Sequence, residues 1–347
     1  MKAARLHRFD PDLKGPTFLQ IEEVEPPTIR EPDEVLVRVG GSGVCRTDLH
    51  IIQGQWAHAA VSELPYTLGH ENAGWVEDRG TAVDSVAVGD PVVLMPGIGD
   101  GTCPACRTGR DNQCRSLVWQ GIQTDGGFTE FVVTKARNLV TIPPALSPAQ
   151  AAPFVDAGLT AYHACKRALV DLDPGSVAVV IGIGGLGHVA VQVLEALSAA
   201  TVVAVDIEEE GRKLASELGA EVVLDGLDAA EAEIPDRTDG LGADVVLDFV
   251  SEGDVPDRAF GLLGVGGHYL VVGYGGTLTV PTMDIMGTER RITGNVGGTH
   301  DELRELFELA GGGRIDLRVR EYPFEEVNAA LADLAAGGMG ARGVLVP

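Results

Sequence analysis

At 347 residues the chain exceeds the length at which one hydrophobic core is usually kept, so two domains are expected. Hydrophobic residues make up 45% of it and charged residues 22%, a globular composition that excludes a largely disordered chain. The formal charge of −25, from 51 acidic against 26 basic residues, repels nucleic acid, and no apolar run approaches the roughly 20 residues of a bilayer span.

In chain order, Met1–Asp10 alternates charged with apolar residues and lacks the apolar core of a secretory signal, so a cytoplasmic location is expected. Glu34–Val39 and Pro91–Met95 read as short strands set between Gly and Pro turns, which makes the first half β-rich with inserted loops. From Val177 the pattern changes. Val177–Ile181, Val202–Val205, Glu221–Leu224, Asp244–Asp248 and His268–Val272 are apolar strands, and Leu186–Leu197 and Glu208–Leu218 are amphipathic at helical spacing. Alternating β and α segments predict a doubly wound parallel sheet, a Rossmann-type α/β fold. After Asn295 come two further amphipathic helices, Glu302–Ala310 and Phe324–Ala336, then the strand-like Gly343–Val346; Gly311–Gly313 reads as a helix stop. The tail is expected to return to the first domain.

Gly182, Gly184 and Gly187 form a GxGxxG turn directly after one predicted strand and before one predicted helix, with Gly185 and Leu186 completing it. The first glycine permits the tight turn, the second lets the backbone approach a pyrophosphate, and the third lets helix and strand pack closely. The helix N-terminus then faces the phosphates. Asp206 ends the second strand, 19 residues beyond Gly187, where a carboxylate accepts bonds from the adenosine ribose hydroxyls and repels a 2′-phosphate. NAD is expected, with NADP left open because Arg212 lies a few residues on.

Cys103, Cys106 and Cys114 stand in a loop rich in Gly, Pro and Arg at spacings of three and eight, and Asp100 precedes them by three. Three thiols and a carboxylate suit a structural tetrahedral zinc, and a disulfide is the alternative. Cys45 begins the run Cys45, Arg46, Thr47, Asp48, Leu49, His50, and Gly69, His70, Glu71 follow; taken singly, each reads as readily as core or turn.

Together, in this order and over nearly its whole length, the chain resembles the zinc-dependent medium-chain alcohol dehydrogenases. The resemblance implies a GroES-like, β-rich, zinc-binding catalytic domain, residues 1–157 and 296–347, and a Rossmann coenzyme domain, residues 158–295. It implies two zinc ions per chain. Cys45, His70 and Asp156 match the catalytic ligands; many members carry cysteine at the third place, and some prokaryotic branches carry aspartate. Asp100, Cys103, Cys106 and Cys114 match the structural ligands, with an acid replacing the usual first cysteine. Thr47 matches the residue that takes the alcohol proton and passes it, through the nicotinamide ribose, to His50. Asp48 matches a carboxylate that orients the ligating histidine, and Glu71 a glutamate near the catalytic metal. Arg342 matches an arginine that reaches the coenzyme pyrophosphate, a solvated tail arginine being the alternative. Thr160 matches a position beside the nicotinamide, or simply lines a helix.

The implied substrate is a primary or secondary alcohol, or the carbonyl in reverse. Trp119, after the cysteine loop, matches a pocket position in archaeal relatives and points to an apolar site, and Trp56 is either a pocket wall or a surface residue. A polyol, sugar or threonine dehydrogenase of the same superfamily is the rival reading, and a non-catalytic nucleotide-binding relative is a second. Relatives form dimers or tetramers through the edge of the coenzyme sheet, here near Tyr269–Gly276.

Lysine is nearly absent, with Lys2, Lys14, Lys135, Lys166 and Lys213 the five in the chain. Such an acidic surface suits the cytosol of a salt-accumulating halophile, where the Debye length shrinks to about 3 Å near 1 M salt; an ordinary acidic bacterial enzyme is the alternative. Structure and activity are expected to fall away below about 1 M salt. A circular-dichroism melt that is the same in dilute buffer and at multimolar salt would refute the halophilic reading.

Overall fold

The computed structural model describes every residue except Pro16, Trp56–Ser62, Gly338, Gly340 and Ala341. Two compact units make up the chain. The first comprises Met1–Ala157, Gly298–Gly311 and Leu317–Pro347, and the second Gly158–Gly297 and Gly312–Asp316.

The first unit is built on β-sheets. Its long strand Glu34–Val44 pairs antiparallel with Glu71–Arg79, with Phe131–Lys135 and with the C-terminal strand Arg342–Val346, which itself runs parallel to Val319–Pro323. The alternation of Val35, Val37 and Val39 buries one face of that strand against Val76, Val92, Leu94 and Val132. A second cluster gathers Leu49, Ile51 and Ile52 of the helix Arg46–Ile52 with Leu68, Phe128 and, from the tail, Val327, Leu331 and Leu345. The tail therefore completes the sheet and core of the unit that begins the chain. The site-bearing helix is fixed by burial of its apolar face.

In the second unit six strands lie parallel. Their spatial order is Val222–Leu224, Thr201–Val205, Val177–Ile181, Ala243–Asp248, Leu263–Val271, Arg291–Gly294, so the chain order reads third, second, first, fourth, fifth, sixth. That is the doubly wound Rossmann arrangement, with its reversal between the first and fourth strands. All five residues of Val177–Ile181 are buried, as a strand covered on both faces requires. The predicted strands and helices of this unit lie where the apolar periodicity puts them. Three helices, Leu227–Arg237, Val255–Gly261 and Thr282–Thr288, were not predicted. The first buries a short stripe, Leu227, Ala230 and Ile234, but carries Pro235 inside it, the second has Pro at its start, and the third buries nothing. One expectation is corrected. Tyr269 belongs to the interior fifth strand, wholly buried, and the edge strands of the sheet are Val222–Leu224 and Arg291–Gly294.

Candidate active site and metal centres

Cys45 ends the long strand's run and caps the helix Arg46–Ile52: its thiol accepts the backbone N–H of Thr47 at 3.5 Å, and Asp48 reaches back to accept the N–H of Cys45 at 2.8 Å. This reciprocal cap makes Cys45 and Asp48 one rigid unit. His70 arrives from the neighbouring strand after Gly69, whose φ of +101° and contact with Phe128 admit no side chain. Asp156 follows the short 3-10 turn Ala152–Val155.

These residues meet. One donor atom each from Cys45, His70, Glu71 and Asp156 lies within 4.8 Å of the others. Asp156 Oδ2 stands 3.5 Å from Cys45 Sγ and 3.5 Å from His70 Nε2. On the other side of the imidazole, Nδ1 faces Asp48 Oδ1 at 3.3 Å, so Nε2 is the nitrogen turned to the cluster. Glu71 can lie here because position 43 is glycine, where a Cβ would sit 1.9 Å from Glu71 Oε2.

For Arg342 the structure overturns only the alternative reading. Its side chain, 4% exposed, is no solvated tail arginine; it is bonded through Nε and Nη2 to both oxygens of Glu71 and lies 3.5 Å from Asp156 Oδ2. The electrostatics follow from burying so many acidic groups together. Burial alone would depress the His70 imidazole, but Asp48, Asp156 and Cys45 hold it well above its ordinary range. Burial pushes Glu71 up to about 7 against the pull of Arg342. For Asp156 burial is outweighed by His70 and Arg342, and its carboxyl stays below the usual carboxylate range. A divalent cation meets the same demand as the proton on His70. Thiolate, imidazole and carboxylate, with Glu71 retained by Arg342, are a donor set that would hold a zinc ion.

Thr47 and His50 lie three apart on the capped helix, hence on one side of it, with Thr47 half-buried and His50 at 8% exposure. Trp119 is partly buried against the core cluster that contains Leu49. Trp56 falls outside the described residues.

The second cluster lies in the loop after Met95. Asp100, Cys103, Cys106 and Cys114 each bring a donor atom within 4.8 Å of the rest. All three thiols are free, and Cys103 Sγ to Cys114 Sγ is 3.8 Å, far beyond the roughly 2 Å of a disulfide, which removes that alternative. Cys103 caps the short helix Pro104–Arg107 and takes the N–H of Cys106, which lowers its thiol, while burial pushes Cys106 up to about 12. Asp100 Oδ1 accepts from the N–H groups of Cys103 and Thr102, which keep the carboxyl well below its usual range. Sequence reasoning missed the brace of this loop: Arg137 donates to Gly99 O at 2.8 Å and to Asp111 Oδ1 at 2.5 Å. An arginine 26 residues from its carboxylate carries no local signal.

In the second unit Gly182 turns at φ +86° and a Cβ on Gly187 would lie 1.8 Å from Gly182 O, so the first and third glycines are sterically required. Around Gly184 a Cβ would meet nothing within 4 Å, which leaves the approach open. Leu186 caps the helix Gly187–Leu197, and His188 Nδ1 donates to Gly184 O at 2.8 Å, a structural bond. Asp206 stands at the end of the second strand, where Oδ2 accepts the N–H of Ile183 at 2.6 Å and ties strand end to turn. Arg212 is anchored to the carbonyls of Asp206 and Ile207. Thr160 is buried, its carbonyl accepting from Asn295 at 3.2 Å.

The chain is similar to known proteins over its whole length. A family model described as the alcohol dehydrogenase GroES-like domain matches residues 31–144, and one described as zinc-binding dehydrogenase matches residues 185–311. An NAD-dependent alcohol dehydrogenase of Sulfolobus acidocaldarius is 35% identical, covering 99% of each chain. A D-arabinose 1-dehydrogenase (NADP(+)) of Saccharolobus solfataricus is 36% identical over 100% of this chain and 97% of that one. The crystal structure of the alcohol dehydrogenase from the hyperthermophilic archaeon Aeropyrum pernix superimposes with a TM-score of 0.94 at 41% identity, covering 100% of both chains. With two domain models matched in sequence order, and relatives alike from end to end, the chain belongs to the zinc-binding, medium-chain alcohol dehydrogenase family.

Proposed function

We propose that this protein oxidises primary or secondary alcohols with NAD, and reduces the carbonyl in reverse, at a zinc held by Cys45, His70 and Asp156. The observation that carries the reading is the convergence of those three donors within 4.8 Å in a buried site, with the imidazole turned by Asp48. A zinc there acts as a Lewis acid and lowers the pKa of an alcohol hydroxyl toward neutrality. Asp48 keeps Nε2 of His70 directed at the metal. Thr47 accepts the alcohol proton, and His50 exchanges it with solvent. Arg342 holds Glu71 as a near neighbour of the metal. Asp100, Cys103, Cys106 and Cys114 hold a second, structural zinc. Gly182–Gly187 with Asp206 bind the dinucleotide, the acid favouring NAD over NADP, and Thr160 lies near the nicotinamide. Trp119 contributes an apolar wall to the alcohol pocket.

Sugar oxidation is the second reading, favoured by the likeness to the D-arabinose enzyme. Residues 51 acidic to 26 basic support work in a molar-salt cytosol. A homo-oligomer is supported by the open edge strand Arg291–Gly294 and by the helix Thr282–Thr288, where Met283 is 67% and Met286 66% exposed.

Turnover measured with NAD at high salt should be greater with ethanol or benzyl alcohol than with glucose, arabinose or threonine, and a preference for a sugar would replace the alcohol reading. In that assay Thr47→Ala should lower turnover about 100-fold, the usual loss of a proton-transfer group; near-normal turnover would discard the relay. Metal analysis should find two zinc ions per chain, Asp156→Ala and Cys106→Ser each losing one of them. Retention of both ions by either variant would unseat that ligand set. Light scattering should give a mass of two or four chains, and a single-chain mass would reject the assembly.

A further inference from the structure

Beside the glycine turn lies a buried carboxylate that neither the metal clusters nor the turn itself uses. Asp248 ends the fourth strand, in register with Ile181 on one side and Val271 on the other, at the reversal of strand order. It is wholly buried, at 0% exposure. Oδ1 accepts the N–H groups of Val250 at 2.9 Å and Ser251 at 2.8 Å, while Oδ2 accepts the hydroxyls of Ser251 at 2.7 Å and Tyr269 at 2.6 Å. Its carbonyl accepts the N–H groups of Val272 and Gly273, both at 2.9 Å. One residue thus ties the ends of the fourth and fifth strands.

The loop it holds is a tight fit. Ser251 adopts φ +48°, an uncommon conformation for a residue with a side chain, and its carbonyl accepts the N–H of Gly276 at 2.6 Å. A Cβ on Gly182 would stand 2.6 Å from Val250 Cγ2, and one on Gly273 2.5 Å from the Val250 backbone. Val250 is therefore wedged between the first glycine of the turn and the loop after the fifth strand. Burying a carboxylate is costly unless its acceptor sites are filled, and here four donors fill them. In that state the carboxylate sets the path of residues 249–251 to within a hydrogen bond's tolerance.

We propose that Asp248, through Tyr269 and Ser251, is a positioning residue for the coenzyme: it holds Val250 against the Gly182 turn and so sets the groove in which the dinucleotide lies, without touching the dinucleotide. The proposal rests on the dinucleotide reading given above. A knot that served folding alone would leave coenzyme affinity unchanged.

The test uses the full chain and three variants. Tyr269→Phe deletes one of the four donors with little change of shape, Asp248→Asn deletes the charge, and Thr293→Val is a control in the same sheet. The control removes the 2.8 Å bond from Thr293 to His268 on the far edge strand. NADH affinity is read by fluorescence, KM and kcat by turnover, and stability by a thermal melt. Tyr269→Phe should weaken NADH binding and raise KM for NAD about fivefold or more, with kcat and the KM for alcohol within about twofold, while Thr293→Val leaves NADH binding as in the parent. Asp248→Asn should do the same more strongly, and if it does not fold Tyr269→Phe decides alone. NADH affinity unchanged in Tyr269→Phe, or equally weakened in Thr293→Val, would overturn the positioning role. A parent enzyme that binds no NADH would instead bring down the dinucleotide reading and the proposal with it.

Discussion

A thiol and two carboxylates crowd round one imidazole, all within 4.8 Å of one another in a buried site, so the acids of the cluster share one sign of charge. Such a group repels itself and resists loss of water, so it persists only beside positive charge. Arg342 supplies one cation from the last strand of the chain, and the donor set asks for a second. Much of the first unit follows from that demand. The C-terminal strand must return beside Glu34–Val44 to deliver the guanidinium, position 43 must be glycine to admit Glu71, and Asp48 must be buried to turn His70.

The two metal clusters show different solutions to holding soft and hard donors together. Around Cys45 the donors come from distant segments, joined by a sheet and a capped helix, and Arg342 pairs with Glu71 beside them. In the cysteine loop the donors are local, and backbone N–H groups do the work: Cys103 and Cys114 thiols and Asp100 Oδ1 all accept from the main chain. A loop with few apolar residues has no core of its own to define its shape. Arg137, through Gly99 and Asp111, and Asn138, through Gly97, anchor it to the rest of the unit.

Carboxylates also organise the second unit. Asp206 and Asp248 end the second and fourth strands, on either side of the first, and both accept backbone N–H groups near the glycine turn. Asp206 is exposed enough to meet a ligand, whereas Asp248 is sealed.

The sequence alone determined what is local. Apolar runs of strand length alternating with amphipathic helices specify a parallel sheet, and a GxGxxG turn between strand and helix specifies its own geometry, because a Cβ at Gly187 cannot coexist with Gly182 O. The cysteine loop was legible for the same reason, its four donors lying within 15 residues. Cys45, His70 and Asp156 were singled out only by the order of several motifs taken together, since each alone is as ordinary as a core residue. Tertiary structure decided the rest. The pairing of Arg342 with Glu71 spans 271 positions, the brace of Arg137 on Asp111 spans 26, and the bond of Tyr269 to Asp248 spans 21. No periodicity records such pairs, because they are made by strands meeting across a sheet and by loops closing over it, and the charge on a side chain says nothing of which partner the fold will bring.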